Sequence, residues 1–94
     1  MARCRILYWH HIPSVVEARD KEDVYKEELS QRFQELIDRI AMKNKLVGTD
    51  AYLEGWRKGR AEVRAGNAVE VAKAVAAEIE AQYEEIAAKK FGDK

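Results

Sequence analysis

The spacing of the apolar residues changes along this chain, and that change restricts the fold more than any other sequence feature. In the second quarter of the chain they recur at i, i+3, i+4, i+7 and i+8, which is typical of an amphipathic helix. Near the N-terminus they alternate with polar residues, as in a half-buried strand. Both patterns in one short chain predict a fold that combines helices with a sheet. The helical stripe consists of Phe33, Leu36, Ile37, Ile40 and Ala41.

A second helix is predicted near the C-terminus, where alanine is frequent. Gly66 and Asn67 mark its start, and Asn67 with Glu70 three residues later forms a variant of the capping box. Ser30 is the corresponding N-cap candidate of the first helix, which is expected to end near Asn44. The apolar stripe of the second helix consists of Ala72, Val75, Ala76, Ile79, Tyr83 and Ile86.

A β-hairpin is predicted at the N-terminus. Residues 3–12 are rich in aromatic and β-branched side chains, and Pro13 and Ser14 punctuate them. Residues 15–19 then form a shorter strand, which is joined to the first by a loop of about three residues.

The segment between the two long helices allows two interpretations. Residues 51–54 fit a short helical turn, and residues 56–65 alternate between charged and small or apolar side chains, as in a third strand. The alternative is one continuous helix over residues 49–64. Gly55 and Gly59 weaken that helix by about 1 kcal/mol each relative to alanine.

These elements predict an α+β two-layer sandwich that forms a single domain over residues 1–94. Its three-stranded, mainly antiparallel sheet carries the two main helices on one face, in the order β-β-α-short α-β-α. The 17 Lys and Arg residues balance the 17 Asp and Glu residues. That neutrality argues against a general polyanion-binding protein.

The face of the sheet opposite the helices is the predicted interaction site. Alternation places Cys4, Val16 and Ala18 on the apolar side and leaves cations and both tryptophans on the other side. An uncovered face of this composition generally marks a binding surface. Its candidate residues are Arg5, Leu7, Trp9, Arg19, Trp56, Lys58 and Arg60.

Three explanations fit the tryptophans of this face. The first is contact with a protein partner or a second copy in a homodimer, with tryptophan anchors and an arginine rim. The second, less favoured, is single-stranded nucleic acid, with bases stacked on tryptophan. The third is structural, with loops that bury the tryptophans.

Little in the sequence predicts catalysis, a metal site or a cofactor. Cys4 and His10 stand six residues apart on one strand, about 20 Å at ~3.3 Å per residue, and neighbouring His10 and His11 point to opposite faces. The carboxylates follow helical spacing and indicate solvated faces. A lone cysteine excludes an intrachain disulfide, and no apolar run reaches the length of a membrane span. A non-catalytic protein of the cytoplasm, with no membrane contact, is therefore expected.

Several stretches resemble a small bacterial family named "virulence factor", after a domain like that of conserved virulence factor C. The resemblance covers about residues 3–83 and implies an accessory role beside enzymes of corrinoid and folate one-carbon metabolism. It carries no family active site that could be transferred to this chain. The stretches include ILYW at 6–9, VEARD at 16–20, RFQ at 32–34 and GTDAYLEGWR at 48–57.

Four polar residues, together with Arg19, make up a second candidate site. His10, Asp20, Arg32 and Asp50 either form a ligand-binding or enzyme-like cluster near the hairpin or belong to a structural network of ion pairs. The structural role is the favoured prediction.

Overall fold

The computed structural model describes residues 1–89 and confirms the α+β fold class with an antiparallel sheet. Within that range, none of the helices has the length and apolar character that crossing a membrane requires. The elements are β1 (Ala2–Trp9), β2 (Ile12–Arg19), β3 (Val24–Glu28), α1 (Gln31–Lys43), α2 (Asp50–Glu54), β4 (Trp56–Lys58), β5 (Glu62–Arg64), α3 (Ala68–Ala81) and α4 (Tyr83–Ala88).

The sheet has five strands rather than the three predicted. Its order is β3-β2-β1-β4, and β5 also pairs with β1. The predicted third strand is divided into β4 and β5, and the continuous-helix alternative over residues 49–64 is wrong. Gly59 lies between the two strands, and its amide donates a hydrogen bond to the Ile6 carbonyl at 2.8 Å. A Cβ on Gly59 would lie 2.8 Å from Cε2 of Tyr8, so a larger residue here would displace the Tyr8 ring.

Strand β3 does not follow from the sequence patterns because most of its side chains are charged. It pairs only with β2 and therefore forms an edge of the sheet. Charged residues are common on edge strands, where they hinder pairing with another chain. Val24, Lys26 and Glu28 are exposed there, and Tyr25 and Glu27 are partly buried.

The hairpin turn lies earlier than predicted. His10 and His11 form it, and Pro13 belongs to β2 rather than to the loop. His10 adopts a left-handed conformation with φ of 55°, which a two-residue turn requires and which residue type alone does not reveal here. Pro13 is tolerated because the ladder shifts register beside it, between Leu7 and Tyr8.

The core lies between the sheet and the helices. Helix α3 packs on β1, β2 and β3, and α1 also contacts β2. The predicted capping box is confirmed, since the Asn67 side chain accepts from the Glu70 amide and the Glu70 side chain accepts from the Asn67 amide. The largest wholly buried side chains are Trp9, Phe33, Ile12, Ile37 and Val16.

Ser30 stands at the predicted N-cap of α1, but its own side chain does not cap the helix. Glu80, at the end of α3, reaches across and accepts hydrogen bonds from the Ser30 amide at 2.7 Å and the Ser30 hydroxyl at 2.8 Å. A carboxylate at this position also complements the positive end of the α1 dipole. The N-terminus of α1 is therefore held by the C-terminal end of α3.

Candidate interaction face

Antiparallel pairing gathers one set of side chains on the face of the sheet that faces away from α3. Arg3 lies opposite Arg19, and Leu7 lies opposite Val15. Lys26 lies opposite Glu17 on β3, and the pairing of β4 with β1 adds Lys58. We call this set the open face, because none of its members is buried. Its members are Arg3, Arg5, Leu7, Val15, Glu17, Arg19, Lys26 and Lys58.

Two adjoining depressions run along the open face. The larger, of about 260 Å³, lies at the end of Arg3 and Arg19, and the smaller, of about 150 Å³, has Leu7 and Val15 in its lining. Both are also lined by Arg5, Glu17 and Lys58. They form one groove, with Arg3 and Arg19 at one end and Leu7, Val15 and Lys26 at the other.

Four cations of this groove have no ion-pair partner among the residues that the structure describes. Among residues 1–89, no carboxylate lies within ion-pairing distance of Arg3, Arg5, Arg19 or Lys58. The acidic side chain that lines the groove, Glu17, pairs with Lys26 at 3.7 Å instead.

Away from the open face, three cations of residues 1–89 form ion pairs. Arg32 pairs with Glu80 at 3.0 Å, and Arg64 pairs with Glu78 at 2.6 Å. Lys73 pairs with Glu27 at 3.6 Å. These three pairs tie the helices to the sheet or to each other, whereas the cations of the open face contribute no such link.

The Arg3–Arg19 pair on the open face destabilises the fold. Like charges directly opposite each other on neighbouring strands destabilise a sheet by about 0.2–1 kcal/mol. We therefore expect Arg19→Gln to raise the free energy of unfolding by about that amount at low ionic strength, and salt to reduce the gain. Urea unfolding at low and high salt measures both effects. Arg39→Gln on the exposed side of α1 is the control, and a destabilised, salt-independent Arg19→Gln variant would contradict the expectation.

The exposed position predicted for Trp9 is wrong, since its exposure is 0%. Its ring lies 5.5 Å from that of Tyr52 in α2, and its Nε1–H donates to the Tyr52 carbonyl at 2.9 Å. A Cβ on Gly55 would lie 2.7 Å from this nitrogen. Helix α2 and Gly55 thus cover Trp9. Alternation indicates the side to which a residue points but not which segment later packs over it.

Two further residues predicted for the interaction site, Trp56 and Arg60, lie outside the groove. Trp56 lies opposite Trp9 and is half-buried, with its ring 6.3 Å from that of Tyr52. Arg60 is exposed in the link between β4 and β5 and does not line the groove. Conversely, Lys26 and Val15 line the groove without having been predicted. For Lys26 the sequence carried no usable signal, because apolar and charged residues share each face of β3.

The structure does not bring the four residues of the polar cluster together. Asp20 accepts hydrogen bonds from the amides of Glu22, Asp23 and Ala68, so it shapes the turn before β3 and caps α3. The bonds from Ala68, Asp23 and Glu22 lower the pKa of Asp20. Arg32 contacts Glu80, near the opposite end of the same helix.

The other two members lie elsewhere again. Asp50 stands in the first turn of α2. His10 packs edge-on against Trp9, with ring centroids 4.5 Å apart. Burial, followed by the charge of Arg57, lowers the pKa of His10 and disfavours its imidazolium form. The four residues serve separate local roles in the fold.

Cys4 does not form a reactive centre. It is buried in the core, and burial, with a smaller effect of Glu62, raises the pKa of its thiol. A protonated thiol is a weak nucleophile. Residues 1–89 contain no group of three or more His, Cys, Asp or Glu side chains arranged to hold a metal ion.

Comparison with known proteins identifies one family. The model of the family described as "Virulence factor" matches residues 7–90, which is most of the chain. Neither the curated proteins nor the solved structures contain a significant match. The matched range includes β2, β3, both long helices and most of the open face.

Proposed function

The chain belongs to the virulence factor family, and from this membership and the geometry above we propose that it is a non-catalytic accessory module. It binds a protein partner through the open face. The resemblance described above extends this proposal to a partner among the enzymes of corrinoid or folate one-carbon metabolism in a bacterial cytoplasm. The proposal rests on the chemistry of the face itself.

The observation that carries the proposal is a set of four open-face cations without an ion-pair partner among residues 1–89, namely Arg3, Arg5, Arg19 and Lys58. Arg3 and Arg19 repel each other across the ladder, and they lie beside Arg5 and Lys58 in one groove. An arrangement that weakens the fold is expected where function requires it. Leu7 and Val15 add an apolar floor, and a mixed surface of this kind suits a protein interface.

A non-catalytic role is supported by the separation of the polar candidates. Asp20 and Arg32 are engaged near opposite ends of α3, and His10 lies at the hairpin turn. General acid–base or nucleophilic catalysis needs such groups within hydrogen-bonding reach of one another.

A different protein is a better partner for this face than a second copy. A two-fold dimer places the same patch on both sides of the interface. Arg3, Arg5, Arg19 and Lys58 would then meet their own equivalents, and only Glu17 would oppose them within the groove. Juxtaposed like charges oppose association. The homodimer expected from the sequence therefore remains a separate prediction that needs another surface.

Site-specific photo-crosslinking in cells of the source organism tests the proposal. A photo-reactive amino acid is substituted at Val63, which is exposed and lies opposite Arg3. The matched control carries the same amino acid at Arg39 on α1. We expect one protein to crosslink from Val63 and not from Arg39, and to bind the full chain when purified. Crosslinks only to a second copy, equal crosslinks from both positions, or no crosslink at all would contradict the proposal.

A further inference from the structure

The groove also defines what its partner must present. Resting on the proposed function, we infer that the open face recognises an extended acidic segment of a protein. Its carboxylates lie over Arg3, Arg19 and Arg5, and one apolar side chain follows over Leu7 and Val15.

The order of charged and apolar residues along the groove determines the order of acidic and apolar residues in the segment. Arg3 and Leu7 are four residues apart on β1, about 13 Å at ~3.3 Å per residue. Arg5 lies between them and lines both depressions. Along β1 the groove therefore offers three successive positions: Arg3 beside Arg19, Arg5 beside Glu17, whose carboxylate is paired with Lys26, and Leu7 beside Val15.

An extended segment matches that repeat. Its alternate side chains point the same way and are about 6.6 Å apart, which is also the spacing of Arg3, Arg5 and Leu7. A segment with acidic residues at its first and third positions and an apolar residue at its fifth matches this spacing. The two carboxylates then lie over Arg3 and Arg5, and the apolar side chain lies over Leu7. Guanidinium groups suit this role because they bind carboxylates through paired hydrogen bonds.

Nucleic acid fits the groove less well than an acidic protein segment. Base recognition on single strands depends on exposed aromatic rings. Of the two tryptophans predicted for this role, Trp9 is wholly buried and Trp56 is half-buried beside Tyr52. The residues that line the groove include no aromatic ring.

Fluorescence anisotropy with labelled peptides on the full chain tests the inference. The probe is a short Gly-Ser peptide that contains Glu-Ser-Glu-Ser-Leu. One comparison peptide replaces both glutamates by glutamine, and another replaces leucine by alanine. A labelled oligothymidine is the nucleic-acid probe. The protein variants are Arg5→Gln with Arg19→Gln, and Arg39→Gln as the matched control.

We expect the acidic peptide to bind about tenfold or more tightly than its glutamine version, because charged pairs carry the contact. The Arg5→Gln, Arg19→Gln variant loses this preference, whereas Arg39→Gln retains it. Added salt weakens binding. Circular dichroism verifies that the variants are folded, and Arg→Gln at exposed positions creates no cavity.

Three results would overturn the inference: equal binding of the acidic and glutamine peptides, no binding up to about 1 mM, which marks weak affinity, or preferential binding of the oligothymidine. These outcomes are distinct from a failure of the proposed function. A partner crosslinked from Val63 that shows no carboxylate preference overturns only the inference. Peptide binding without any cellular crosslink overturns the proposed function.

Discussion

Trp9→Ala is expected to lower the free energy of unfolding by about 3–5 kcal/mol, the range for removing a large buried aromatic side chain. Trp9 has no exposed surface and belongs to the core. The substitution also removes the hydrogen bond of 2.9 Å that the Trp9 Nε1–H donates to the Tyr52 carbonyl. Since a domain of this size is stabilised by only about 5–15 kcal/mol, the substitution removes a substantial part of the stability.

Urea unfolding followed by far-ultraviolet circular dichroism measures this effect without relying on tryptophan fluorescence. Trp56→Ala is the matched control, because Trp56 is half-buried in the same aromatic group, and about 1–2 kcal/mol is expected for it. Trp9→Phe retains most of the buried area but not the hydrogen bond, so its loss should lie between the two. Equal losses for Trp9→Ala and Trp56→Ala would contradict the placement of Trp9.

Burial of Trp9 also changes how an interface experiment must be designed. A variant at this position that loses a partner or changes its oligomeric state can do so by unfolding. Substitutions at Arg5, Arg19 and Lys58 avoid this problem, because their side chains are exposed. Binding experiments on the open face should therefore use the cations and not the tryptophan.

The helices were predictable from the sequence because local patterns determine them. The stripe from Phe33 to Ala41 and the capping box of Asn67 and Glu70 need no distant residue to be recognised. Both are present in the structure. Residues that act over a long distance could not be recognised in this way. Glu80 is an example, since it accepts hydrogen bonds from Ser30, fifty residues earlier.

The candidate site was predictable in part for the same reason. Alternation along β1 and β2 places Arg5, Leu7 and Arg19 on one face, and the structure agrees. It does not reveal that α2 folds over Trp9. Lys26 was not predictable because β3 is an edge strand held by pairing with β2 and by the packing of α3, rather than by an apolar pattern of its own.

Glu80 connects the two helices and should make part of the stability depend on pH. Its carboxylate accepts hydrogen bonds from Ser30 and from Arg32, whose guanidinium also lies 4.3 Å from the centre of the Tyr83 ring. Partial burial opposes ionisation of Glu80, but the bonds from Ser30 and Arg32 outweigh it and hold its pKa below the usual value. The ionised form is thus favoured by folding.

Glu80→Gln is therefore expected to lower the free energy of unfolding at pH 7 by about 1–2 kcal/mol, the value of charged hydrogen bonds reduced for partial exposure. A pKa that is lower in the folded state stabilises the fold above the unfolded value, about 4.3. That contribution is lost as the pH falls through the folded pKa, so the difference between wild type and variant should shrink below about pH 4. Chemical unfolding across pH 2.5–7 measures this convergence. Glu84→Gln, at an exposed position one turn further on, is the control and should track the wild type. A Glu80→Gln deficit that stays constant down to the lowest pH would show that the residue acts through packing rather than through its charge.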